Sequence, residues 1–89
     1  MKTFDPTHIV VVDNGWVFAA NLPDGYTPGQ PMQLNNARVI IQWGTSDGLG
    51  QLCVSGPTKS TKLGEVAVAH IPASRVVFVL EVHSGPWKL

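Results

Sequence analysis

The stretch Ile9-Val10-Val11-Val12-Asp13-Asn14-Gly15-Trp16-Val17-Phe18-Ala19-Ala20 decides the fold. Two apolar runs flank Asp13-Asn14-Gly15, and Asn-Gly supplies the two residues of positive φ that a type I′ turn demands. The segment reads as a β-hairpin. With Asn14 and Gly15 as a two-residue loop, Val12 faces Val17 and Val10 faces Ala19, so both strands offer apolar side chains to both faces of a sheet. One of those faces is a candidate oligomer interface.

Downstream, three prolines and two glycines between Pro23 and Pro31 deny ladder donors and demand turns, which makes that segment a loop with Tyr26 at its exposed centre. Met32-Gln33-Leu34 alternates like a short strand. After the Asn35-Asn36 break, Ala37 to Trp43 resumes with Val39, Ile40 and Ile41, so two strands joined by a turn or sharp bend are expected. Ser46 is a suitable N-cap, Leu49, Leu52 and Cys53 recur at helical spacing, and Gly56-Pro57 is a stop signal. These predict a short helix over 47–55. Gly48 and Gly50 would each cost that helix about 1 kcal/mol relative to alanine, so packing must hold it and something besides helix stability is expected to require the glycines. Residues 57–64 are polar, with Lys59 and Lys62 in a solvated loop. Residues 65–71 and 75–83 read as two more strands around Pro72-Ala73-Ser74. The expected order is β-β-β-β-α-β-β: mainly β in an α+β class, a small antiparallel twisted sheet or partly open barrel of about six strands carrying one short helix.

Eighty-nine residues leave room for one core, so a single domain over 1–89 is expected. Hydrophobic residues make up 44% and charged ones 13%, which favours folding over disorder and leaves few charges to cover a surface. A homo-oligomer is the expectation. Lys plus Arg and Asp plus Glu are equal at six each, so the summed field that would draw the chain to bulk nucleic acid is missing. A lone cysteine, Cys53, excludes an internal disulfide, and no apolar leader or spanning run is present; a cytoplasmic protein that touches no membrane is expected.

Candidate chemistry is sparse. His8, His70 and His83 stand without metal-ligand spacing, so neither a metal nor another cofactor is expected. Glu81 and His83 share one face of the last strand and read as surface decoration. Cys53 sits in the apolar stripe of the helix, where a buried structural thiol is a better reading than a nucleophile. No carboxylate pair for acid–base work stands out, and the expectation is that the chain is not an enzyme. The one suggestive turn is Trp43-Gly44-Thr45-Ser46-Asp47-Gly48, where a strand enters a helix and unpaired N–H groups could meet a phosphate. The plain alternative is that Ser46 caps the helix and Asp47 answers its dipole. The candidate ligand residues are Arg38 as a guanidinium fork, Thr45, Ser46 and Gln51 at the turn, and Trp43 and Tyr26 as stacking surfaces.

The run Leu34-x-x-Ala37-Arg38-x-Ile40-x-x-Trp43, followed by Ser46-x-x-Leu49-x-Gln51-Leu52-x-x-x-Gly56, resembles a widespread group of short phage and prophage proteins of unknown function. The similarity covers most of the chain and extends to the Pro86-Trp87 tail. Relatives usually carry a second basic residue after the arginine and Ala-Ser before the helix. This chain has Val39 and Thr45-Ser46 there, and Gly48 and Gly50 besides. The departures fall on the suggestive turn. The resemblance implies a phage protein acting by binding in the host cytoplasm, and by analogy with phage anti-defence sponges a homo-oligomer that sequesters a cyclic nucleotide immune signal. The alternative is a protein-binding module: an inhibitor of a host or CRISPR nuclease, or a minor virion or assembly protein. A third reading, an enzyme acting through Cys53 and a histidine, requires that thiol to be essential.

Overall fold

A computed structural model describes residues 3–22, 32–46 and 48–88. Their elements run β1 (Thr3–Phe4), β2 (His8–Val12), β3 (Val17–Asn21), β4 (Met32–Gln42), α1 (Leu49–Ser55), β5 (Lys62–Leu63), β6 (Ala67–Ile71), β7 (Val76–Glu81) and β8 (Trp87–Lys88), with 3₁₀ turns at Asp13–Gly15 and Ala73–Arg75. Six strands make one antiparallel sheet in the order β5-β4-β3-β2-β7, with β6 also on β4; β1 and β8 pair separately. The expected small antiparallel sheet with one short helix is the fold observed, and the sheet does not close into a barrel.

The hairpin forms, but in a register one residue from the expected one. Val12 N–H bonds to the Trp16 carbonyl at 2.9 Å, and Val11 faces Val17 while Val10 faces Phe18. The loop therefore holds three residues, Asp13 to Gly15, and of these only Gly15 has positive φ, +81°. A three-residue loop needs one left-handed residue after a right-handed turn, and the glycine of Asn-Gly serves it as well as it would a type I′ turn.

The Asn35-Asn36 break is a bulge rather than a turn. β4 runs unbroken through it, Asn36 taking φ +50°, and the pairing to both β3 and β6 shifts register there. Asparagine tolerates the left-handed region, and the extra residue bends and twists the strand. As a result Leu34 and Ala37, three apart, lie in one core. The segment 57–64, read as loop, contributes the two-residue β5, and β1 and β8 were not expected. A strand of two residues has no readable period, so neighbours rather than local pattern create it.

Both faces of the hairpin are covered from within the chain. On one face Ile9, Val17, Ala19 and Ile40 pack with Leu49, Leu52 and Cys53 of α1 and with Phe4 and Trp87. Trp87 is 1% exposed and meets Phe4 edge-on at 5.9 Å. Its indole N–H donates to Ser84 Oγ, which donates to the Leu52 carbonyl, tying β8 to the helix. On the other face Val10, Val12, Ala20, Leu22, Leu34 and Ala37 collect Ala69 and Ile71 from β6 and Val76 and Val79 from β7. Strands at opposite ends of the sheet thus share one core: the sheet curls without closing. The hairpin's apolar faces therefore report these two cores, and neither is the free interface expected from sequence.

Candidate functional site

The suggestive turn is built mainly for internal satisfaction. β4 ends at Gln42, and the chain then passes over the segment 58–61 closely enough that the Trp43 and Gly44 carbonyls find donors. Thr61 Oγ1 donates to the Trp43 carbonyl at 2.6 Å, Thr58 Oγ1 to the Gly44 carbonyl at 2.5 Å, and Gln42 Nε2 to the Ser60 carbonyl at 2.8 Å. Gly44 holds φ +71°, and a Cβ there would overlap the backbone of Ser60 and Thr61. This crossing requires glycine on two counts, conformation and space.

The helix starts at Leu49, two residues later than expected, and its N-cap is Gly48, at φ +82° and ψ −165°, with no side-chain cap bond. Ser46 is thus not the cap. Its hydroxyl donates to Gln51 Oε1 at 3.4 Å, and Thr45 Oγ1 donates to the Gly48 carbonyl at 2.6 Å. The reason lies in Gly48: a residue in that glycine-only region of φ/ψ redirects the chain immediately before the helix, moving the first turn beyond Ser46. The need for glycine is explained at Gly48. Gly50 has open space around it and no positive φ, so nothing in the structure requires it. Asp47 and Tyr26 lie outside the described residues, as does the rest of 23–31.

Arg38 lies beside Ala19 on the helix-bearing face. Its Nε donates to the Gly64 carbonyl at 2.7 Å, and its guanidinium lies over the Phe4 ring, 5.4 Å from the centroid. Among the described residues no carboxylate pairs with it. The structure thus brings Thr45, Ser46 and Gln51 together, while no hydrogen bond or ring contact among the described residues joins Arg38 or Trp43 to Thr45 or Ser46. Trp43 is 41% exposed. Sequence reasoning missed Thr58, Thr61, Gly64 and Ser84, because hydroxyls in a polar loop read as solvated until the backbone they face is known.

Cys53 is buried in the helix-side core, and burial pushes its thiol up from the ordinary range. Glu81 and His83 contact each other at 3.2 Å and are both exposed. His8, opposite Glu81 in the ladder, is held below its ordinary value first by burial, against the pull of Glu81, with His83 adding a further lowering. Among the described residues no three His, Cys, Asp or Glu side chains cluster to hold a metal, and no helix is long and apolar enough to cross a membrane.

A second feature was not expected. The mouth of the curled sheet forms an open groove of about 660 Å³, lined by Val12, Trp16, Phe18, Val39, Ile71 and Pro72, with Asp13 and Arg75 at its rim. Asp13 and Arg75 form an ion pair across 62 residues of sequence, joining the hairpin loop to the β6–β7 connection. Trp16 is 57% exposed. The lining comes from four separate elements, so its adjacency exists only in the folded chain.

A family model described as Domain of unknown function (DUF6948) matches residues 8–88. The chain belongs to this family. The match runs from the start of β2 into β8, so the sheet, the helix, the groove and the turn are all family territory. No curated protein and no solved structure matched the chain.

Proposed function

We propose that this chain is a non-catalytic binding protein that engages a protein partner through the groove at the mouth of its curled sheet. The observation that carries this reading is the groove lining: Val12, Trp16, Phe18, Val39, Ile71 and Pro72 present a concave apolar surface rimmed by one ion pair. An exposed tryptophan beside such a concavity is the usual make-up of a protein contact. The candidate turn supports a binding role less well, since the Thr45 and Ser46 hydroxyls are spent on Gly48 and Gln51. The test is affinity capture with the wild-type chain and a Trp16→Asp variant of unchanged circular dichroism. A partner held at stoichiometric yield by the wild type and lost by the variant supports the reading. Equal retention by both removes the groove from it.

A second reading, a phage-encoded homo-oligomer that sequesters a cyclic nucleotide immune signal, is favoured by Arg38. Its guanidinium is stacked on Phe4, bound through Nε and without a carboxylate partner among the described residues. A guanidinium so held is oriented to meet an anion. A thermal-shift screen against cyclic di- and trinucleotides decides it. A rise of several degrees abolished by Arg38→Ala supports the second reading, and silence across the screen leaves the protein partner.

A further inference from the structure

The groove is rich in apolar surface and poor in acceptors. Val12, Phe18, Val39, Ile71 and Pro72 carry no polar side-chain atom, and the Asp13 carboxylate at the rim already takes the Arg75 guanidinium. Backbone carbonyls of the lining are engaged as well: that of Trp16 by Val12 N–H at 2.9 Å, that of Val39 by Gly64 N–H at 2.8 Å and that of Pro72 by Arg75 N–H at 3.0 Å. Trp16 adds a donor. Its ring stands in the groove wall, 57% exposed, and among the described residues its indole N–H has no acceptor, whereas that of Trp87 donates to Ser84 Oγ. Asp13 and Arg75 cancel in charge, so the rim favours an uncharged occupant.

A surface with a free donor and no acceptor to match discriminates between the shapes a partner can present. An extended segment of ordinary residues laid on this floor buries backbone N–H groups that stay unpaired, which is costly. An α-helix hides its N–H groups, but its carbonyls are engaged within the helix and leave the Trp16 donor unmet. Polyproline II meets both conditions: proline has no N–H, and the conformation makes no internal hydrogen bonds, so its carbonyls are free to accept. We infer that the groove takes a proline-rich segment of a partner protein in the polyproline II conformation, with a segment carbonyl accepting from Trp16 Nε1 and proline rings packed on Trp16, Phe18 and Pro72. Such a segment is extended before it binds, so docking orders little that was free. The inference rests on the groove being a protein-binding site and names the conformation and chemistry of what binds there.

The experiment is an NMR titration of the intact, isotope-labelled chain with a capped oligoproline of about eight residues, with an extended proline-free peptide of matching length and with an amphipathic helical peptide. Oligoproline is expected to move the Trp16 indole signal saturably, with a Kd below about 1 mM, while the signal of buried Trp87 stays in place. Trp16→Phe, at an exposed position, keeps an aromatic ring and loses the donor. It is expected to keep its circular dichroism and to weaken oligoproline binding about tenfold, followed at the Val39 and Ile71 amides. No saturable shift at Trp16 up to about 10 mM oligoproline overturns the inference, and so does undiminished affinity in Trp16→Phe. Tighter binding of the helical or the proline-free peptide at the same signals also overturns it while leaving the groove a protein site. The groove reading itself falls only when Trp16→Asp retains the captured partner.

Discussion

Three glycines within seven residues, Gly44, Gly48 and Gly50, should respond to alanine in three different ways. Gly50 lies in the helix with open space around it and no positive φ. Alanine there removes backbone freedom from the unfolded chain and should stabilise by about 0.5–1 kcal/mol. Gly48 also has open space but sits at φ +82°, ψ −165°, a region that side chains avoid at about 1–3 kcal/mol. Its replacement should destabilise by that strain alone. Gly44 combines φ +71° with backbone overlap against Ser60 and Thr61, so strain of about 1–2 kcal/mol is joined by displacement of the 58–61 segment. That displacement breaks the Thr58 and Thr61 bonds, each worth about 1 kcal/mol, for a total loss of roughly 3–4 kcal/mol. A chain of this size holds only about 5–10 kcal/mol, so the loss is readily seen. Urea unfolding followed by tryptophan fluorescence, with ΔΔG taken at constant m, gives the ranking. Gly44→Ala within 1 kcal/mol of wild type, or less damaging than Gly48→Ala, would refute the account of this turn.

Trp87→Ala should cost about 3–5 kcal/mol, since it empties the contact with Phe4 and strips Ser84 of its indole donor; an unchanged urea midpoint would show that β8 does not seal the core. Cys53 should react with a thiol reagent far more slowly in the folded chain than in urea, because the thiol is buried and its pKa pushed up; equal rates would contradict its placement. The folded-state pKa of His8 lies below the unfolded value of 6.5, so its stabilising effect is complete above pH 6.5 and is lost as pH falls through 6.5 toward the lowered value. The melting temperature should therefore drop between pH 8 and pH 5.5, and His8→Gln should flatten that slope; an equally steep slope in the variant would assign it to other groups.

Much of the fold was legible because periodicity and turn chemistry are local. Two apolar runs around Asn-Gly mean a hairpin whatever surrounds them, and Leu49, Leu52 and Cys53 mark the buried stripe of a helix. Loop length was not legible, because Gly15 satisfies a two-residue and a three-residue loop equally; the partners that the shifted register gives Val10 and Val12 in the second core distinguish them. The helix start went wrong at Ser46 for a related reason. Capping rules assume ordinary φ/ψ before the first turn, and Gly48 departs from it. Of the residues read as phosphate ligands, Thr45, Ser46 and Gln51 lie together at the turn, whereas Arg38 is held at Gly64, and Thr58 and Thr61, more than ten positions away, donate to two of the turn's carbonyls.

What the sequence by itself determined is the longer segments able to pair, their alternation, and the absence of charge excess or metal-ligand spacing, all consequences of short-range sterics and composition. Only the tertiary structure decided that the sheet curls, that β6 and β7 from its opposite ends share one core, and that Trp16, Val39, Ile71 and Pro72 meet at one groove. The physical reason is that curling follows from the twist added at the Asn36 bulge, and a bulge becomes visible only when both neighbouring strands are in register.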